Sequence, residues 1–215
     1  MPLGDGPAKL AARVSLWNRE RKMRLFLETM RPDAHTRVVD VGVGDTGFST
    51  EAGVAGTHNF FEAMYPWPEQ ITAVSDVPLP RFAEVFPMIP CVQADGRDLP
   101  FEDGAFDIAF SNAVVEHVGG RDDQRRFVHE LCRVARRVFL STPNRWFPVD
   151  THTLLPLVHW LPRTPRDAIF RGLGQGRWTD VNLLGRRQLA ELFPDPGRVQ
   201  IVESRITITA TASRD

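Results

Sequence analysis

One stretch narrows the possible folds of this chain more than any other: Arg37-Val38-Val39-Asp40-Val41-Gly42-Val43-Gly44-Asp45-Thr46-Gly47. Its valines suit a strand covered by helices on both faces, the habit of parallel sheets. The glycines then let the backbone leave that strand sharply and approach a ligand closely. In open α/β sheets, ligands bind beyond the carboxyl ends of the strands. A first strand over Val38–Val43 with a nucleotide-like ligand above its tip is therefore expected.

Gly42-x-Gly44-x-x-Gly47 satisfies the letters of the dinucleotide fingerprint, but two details oppose that reading. The fingerprint needs a helix to open at once, so that pyrophosphate sits on its N-terminus. Here Phe48–Gly56 follows, with Gly53 and Gly56 each costing about 1 kcal/mol in a helix. The second detail is Asp40, since a carboxyl group two residues before the first glycine suits a cationic ligand better than pyrophosphate.

Strand-like and helix-like segments then alternate, which implies a parallel sheet. Residues 8–30 read as an amphipathic helix ended by Pro32, packing over the core. Further strands are expected at Ile71–Ser75, Pro90–Ala94, Phe106–Ser111 and Val138–Ser141, with helices at His58–Tyr65 and Asp122–Arg136. Arg187–Phe193 reads as a helix, and Val199–Ser204 with Ile206–Thr211 as a closing hairpin. Leu154–Leu161 reads as an apolar packing helix or else the wall of a lipid-like pocket. The expected fold is a Rossmann-like α/β domain: seven strands, mostly parallel, helices on both faces and an antiparallel last strand. Within one domain, residues 1–35 form a helical cap and 36–145 the ligand-binding core. Residues 146–180 form a substrate-side insertion, and 181–215 the closing helix and strands.

Composition excludes several classes. At 215 residues, 42% hydrophobic and 25% charged, the chain can bury a core of ordinary size. A net charge of -1 offers no basic field for a phosphate backbone, so no nucleic-acid partner is expected. Cys91 and Cys132 read as reduced core thiols, and no His, Cys or carboxyl spacing suggests a metal. With no run of 18 apolar residues and no apolar leader, a cytoplasmic enzyme without a transmembrane segment is expected. Nothing in the sequence specifies an oligomeric state.

Three further segments refine the site. Asp76 ends the second strand, where an acid can accept from both ribose hydroxyls. Ala94-Asp95-Gly96-Arg97-Asp98-Leu99-Pro100-Phe101 offers a carboxylate to an adenine amine and a backbone N–H to a ring nitrogen. Phe106-Asp107-Ile108-Ala109-Phe110-Ser111-Asn112-Ala113-Val114-Val115-Glu116-His117 runs from the fourth strand into a new turn.

In this combined order of motifs the chain resembles the class I S-adenosylmethionine-dependent methyltransferases, in particular those with small-molecule and lipid substrates. The resemblance covers residues 36–145 well and reaches more weakly through Ser141-Thr142-Pro143-Asn144-Arg145 to the final strands. It implies S-adenosylmethionine as cofactor and a small-molecule or lipid-like methyl acceptor. It also implies Asp40 near the methionine ammonium, directly or through water, with Gly42 and Gly44 under the cofactor. Asp76 would hold the ribose, Asp95 and Gly96 the adenine, and Asn112 would bound the methionine end. Two features depart from the family pattern. Asp45-Thr46 stands where one residue is usual before the third glycine, and Asp76 lies 32 residues beyond Gly44 rather than about 20. Asp76 could instead cap the turn that follows it, and Asp95 could be a turn acid.

His117 and His152 are the candidates for a catalytic base, since imidazole titrates near neutrality. Glu116 reads as a structural partner, and His35, His58, His129 and His159 as surface or packing residues. Two other readings are carried: a nicotinamide-dependent oxidoreductase using the glycine turn, and a methyltransferase-like binding module without catalysis.

Overall fold

The computed structural model describes residues 5–48 and 58–214, with backbone alone for 5–12. Helix α1 (Asp5–Met30) leads into β1 (Val38–Val41), α2 (Phe60–Met64), β2 (Ile71–Ser75), α3 (Pro80–Val85), β3 (Cys91–Gln93) and β4 (Phe106–Asn112). Then come α4 (Arg121–Val134), β5 (Ala135–Pro143), α5 (Arg163–Gly172), α6 (Arg186–Ala190), β6 (Gln200–Glu203) and β7 (Thr207–Ser213). The strands form one sheet in the order β3-β2-β1-β4-β5-β7-β6. β1 to β5 are parallel, and β7 runs antiparallel to both β5 and β6. This is the expected Rossmann-like sheet. Strand order reverses between β1 and β4, and a crevice opens there at the strand tips.

Alternation along β1 divides the core. Val39 and Val41 pack with Phe127, Leu131 and Val134 of α4, and with Leu189 and Leu192 at and beyond α6. Val38, on the other face, joins Phe26 of α1, Phe60 and Phe61 of α2, and Phe110 and Phe139 of the sheet. Phe26 meets Phe61, Phe110 and Phe139 edge-on at 5.0, 5.6 and 5.3 Å, while Phe61 stacks on Phe110 at 3.9 Å. Such pairs add about 0.5–1.5 kcal/mol each beyond burial, so this aromatic cluster fastens α1 and α2 to the sheet.

Some expectations need correction. Leu154–Leu161 is not a helix: it holds only a single 3₁₀ turn at Val158–Trp160, and Leu154 and Leu157 are left-handed and exposed. Pro156 supplies no N–H and disfavours helix at Leu155, which breaks the apolar run in its middle. Cys91 is exposed rather than a core thiol, whereas Cys132 is half-buried; both are free. Helices α3 and α5 were not anticipated. The expectation of non-helical chain after Phe48 falls on residues 49–57, outside the described residues.

α3 takes its N-terminal support from the glycine turn. Asp45 Oδ1 accepts from the backbone N–H groups of Arg81 and Phe82 at 2.8 and 3.0 Å. The residue that departs from the usual glycine spacing therefore caps a neighbouring helix. Asp45→Ala should cost about 1 kcal/mol, a fall of roughly 2–4 °C in Tm, while Asp45→Asn keeps most of that stability. Equal melting of both variants and the parent would remove the cap.

Asp40, on the α1/α2 face of β1, is buried beside Glu62, which is also buried. Burial and then the neighbouring Glu62 raise the Asp40 carboxyl well above its ordinary range. Burial likewise pushes Glu62 up to about 7. Below the unfolded value of 4.5 both states hold the Glu62 proton and the pair costs nothing. As pH rises from there through about 7 the unfolded chain ionises first, so the fold loses stability. Glu62→Gln should therefore raise Tm more at pH 8 than at pH 5, by about 2 °C or more. The same offset at both pH values would show that Glu62 is not held protonated.

Candidate functional site

β1 ends in a turn that only glycine fits. Gly42 has φ +101°, and a Cβ there would lie 2.1 Å from Val114 Cγ2. The N–H groups of Gly42 and Val43 both donate to Val74 O, at 2.9 and 3.1 Å, which keeps the turn against β2. Buried Asn59 fastens the next turn, donating from Nδ2 to Gly44 O at 2.9 Å.

The tips of these strands border a cleft of about 360 Å³. Gly42, Asp76, Asp95 and Gly96 line it, together with Val114 and His117 from the turn after β4. Four of the seven residues expected at the cofactor thus share one cavity wall. Asp40 lies behind the wall with Glu62, Gly44 is held by Asn59, and Asn112 stands one residue before the lining residue Ala113.

Asp76 is exposed at the tip of β2. It does not cap α3, whose N-cap residue is Leu79 with no side-chain cap hydrogen bond. Asp95 is engaged by Arg97: Nε donates to Oδ1 and Oδ2 at 3.0 and 3.1 Å, and Nη2 to Oδ2 at 2.6 Å. The hydrogen bonds from Arg97 hold the Asp95 carboxyl below its usual range. Arg97 also reaches Asp123 of α4 at 3.0 Å, and Leu99 N donates to Glu130 of the same helix at 2.8 Å. The loop is thereby clamped to α4. Gly96 is needed for that closeness, since a Cβ would lie 2.5 Å from Phe127.

Asn112 accepts a hydrogen bond from Lys22 of α1, which lies 5.9 Å above the Phe60 ring. Burial, helped by Arg19 and opposed by Glu116, pulls the Lys22 ammonium down to about 7. Sequence reasoning did not single out Lys22. Its spacing from Phe26 and Met30, at four and eight residues, marks it as a lysine on the buried face.

His117 and His152 meet between two cavities. Their Nε2 atoms are 3.2 Å apart, and Trp178 packs against both rings, at 6.2 and 5.0 Å. His117 lines the first cleft, while Asp150 and Trp178 line a second of about 470 Å³. Arg145, His159, Trp160 and Arg166 complete much of that second wall. Burial lowers the His117 imidazole, with Glu116 opposing and His152 reinforcing the shift. His159 is a packing residue, as expected: it is buried, and its Nε2 meets Arg145 O at 3.0 Å.

Comparison with known proteins agrees with this geometry. Residues 39–138 match the methyltransferase domain family. Two Mycobacterium tuberculosis proteins, from strains CDC 1551 and H37Rv, are each named a probable S-adenosylmethionine-dependent methyltransferase. Both are 38% identical to this chain over 63 residues, which is 28% of this chain and 22% of the length of those curated relatives. Among solved structures, a Thermotoga maritima S-adenosylmethionine-dependent methyltransferase, named a possible histamine N-methyltransferase, superposes with a TM-score of 0.58. It is 16% identical, covering 96% of this chain and 92% of that one. The N-methyltransferase NodS of Bradyrhizobium japonicum, solved with S-adenosyl-L-homocysteine, gives a TM-score of 0.56 at 13% identity, covering 91% and 86%. Over residues 39–138, just under half of the chain, the sequence is thus similar to the methyltransferase domain family, and the fold is that of solved S-adenosylmethionine-dependent methyltransferases.

Proposed function

We propose that this chain transfers a methyl group from S-adenosylmethionine to a small-molecule or lipid-like acceptor held beside the cleft. The observation that carries the reading is the shared wall of Gly42, Asp76, Asp95 and Gly96 at the tips of neighbouring strands. When bound, the cofactor supplies a methyl group on a positively charged sulfur, with a ribose, an adenine and an ammonium for the protein to hold.

The residues fit such a ligand. At Gly42 and Gly96 a Cβ would collide with Val114 and Phe127, so backbone forms the floor where a nucleoside must approach. Asp76 does not cap α3 and suits the ribose hydroxyls. Asp95 accepts from Arg97, and its two oxygens have further lone pairs for an adenine amine. Asp40 lies under the turn with Glu62, where an arriving ammonium would favour ionisation of the pair. Asn112 and Lys22 bound the methionine end.

The acceptor is placed in the second cavity, between the core and residues 145–182, with His117 and His152 where the two spaces meet. Arginines and tryptophans along that wall favour a small polar or aromatic acceptor. Orienting the acceptor against the methyl donor can supply roughly 7–11 kcal/mol of the barrier reduction, which leaves few side chains with overt chemistry to do. A cytoplasmic location belongs to the same proposal; among the described residues, no helix is long and apolar enough to cross a membrane.

Calorimetric titration with S-adenosylhomocysteine tests the cofactor site. Asp76→Ala should weaken binding roughly 10- to 100-fold, the worth of charged hydrogen bonds of about 1.5–3 kcal/mol. Oxidised and reduced nicotinamide dinucleotides should give no heat. Unchanged affinity in the variant would take Asp76 out of the site. Tight nicotinamide binding would restore the oxidoreductase reading.

A further inference from the structure

Glu116 stands out among the buried polar groups. Its side chain is fully buried, and Thr142 Oγ1 donates to its Oε2 at 2.9 Å. Among the described residues its Oε1 has no hydrogen-bond partner. A buried carboxyl oxygen without a partner is costly, and the usual remedy is a cation. Lys22 acts on Glu116 only as a charge nearby and spends its hydrogen bond on Asn112.

The orphan oxygen faces the two imidazoles. Oε1 lies 4.0 Å from His117 Nε2 and 3.9 Å from His152 Nε2, too far for hydrogen bonds, and the nitrogens are 3.2 Å from each other. A point equidistant from the three atoms lies about 2.2 Å from each, close to the length of a zinc–nitrogen or zinc–carboxylate bond.

The surroundings orient these atoms as ligands. Asp150 Oδ1 faces His152 Nδ1 at 3.2 Å and accepts from the His152 backbone N–H at 3.0 Å. Thr153 Oγ1 donates to Asp150 Oδ2 at 2.8 Å. With Asp150 Oδ1 placed to accept from His152 Nδ1–H, the Nε2 lone pair is left facing the shared point. A carboxylate behind a histidine ligand is the usual outer support of a metal site.

We propose that Glu116, His117 and His152 bind one divalent first-row transition-metal ion, with Asp150 orienting His152. Two imidazoles and one carboxyl select zinc-type ions over magnesium or calcium, which prefer oxygen alone. Three protein ligands leave a coordination position open. The side chain of His117 is 38% exposed and lines the first cleft, so the site is reachable from there and the open position suits an acceptor's oxygen. No spacing in the sequence announces the site, because two ligands come from the turn after β4 and the third from a loop 35 residues later. The ion site itself does not depend on methyl transfer.

The test uses tag-free chain stripped with chelator, titrated with Zn²⁺ by calorimetry and with Co²⁺ by visible absorption. One ion per chain is expected, with Co²⁺ bands that excess Mg²⁺ does not remove. His117→Ala changes an exposed side chain, and circular dichroism verifies its fold; it and His152→Ala should abolish stoichiometric uptake. Asp150→Asn should weaken binding about 10- to 100-fold. Absence of one-to-one uptake in the parent chain, or uptake that survives in His117→Ala, would overturn the site whatever the outcome with S-adenosylhomocysteine.

Discussion

The architecture of the site depends on how the chain leaves β1. At Gly42 the backbone takes a left-handed conformation directly beneath Val114, where a side chain of any size would collide. That contact brings the turn after β1 against the turn after β4, the two neighbours at which the sheet changes its direction of growth. Without this close approach the cleft would lose its floor, and Asp76 and Asp95 would face open solvent instead of a shared cavity.

Two sets of contacts keep this arrangement rigid. On one face, the aromatic cluster around Phe26 fixes α1 to the sheet and carries Lys22 to Asn112. On the other, Arg97, Glu130 and Arg133 tie the loop after β3 to α4, so that Gly96 rests on Phe127. Polar groups that are costly to bury, such as Asp40 with Glu62 and Glu116 with its orphan oxygen, lie directly behind the cavity walls. Such strain in a core is expected where binding or chemistry takes place.

Much of this was legible in the sequence, and the reasons are physical. Buried parallel strands read as β-branched runs, so β1 and β2 were found within two residues of their ends. The 3.6-residue period of Phe127, Leu131 and Val134 disclosed α4. Acids at strand tips singled out Asp76 and Asp95, and both line one cavity. Legibility failed where tertiary contacts decide the outcome. Leu154–Leu161 looked helical by composition, yet Pro156 interrupts it. α3 is only six residues long, has no capping side chain at Leu79 and is supported from a distance by Asp45. Lys22 was hidden by the charged residues around it, and the convergence of Glu116, His117 and His152 depends on loop paths that no local pattern encodes.

The most direct test of the central claim is a crystal structure of the chain grown with S-adenosylhomocysteine. The account predicts electron density for one nucleoside across the strand tips, with ribose hydroxyls on Asp76 and adenine beside Asp95 and Gly96. A cleft without ligand at saturating concentration, or the nucleoside bound away from these residues, would contradict it.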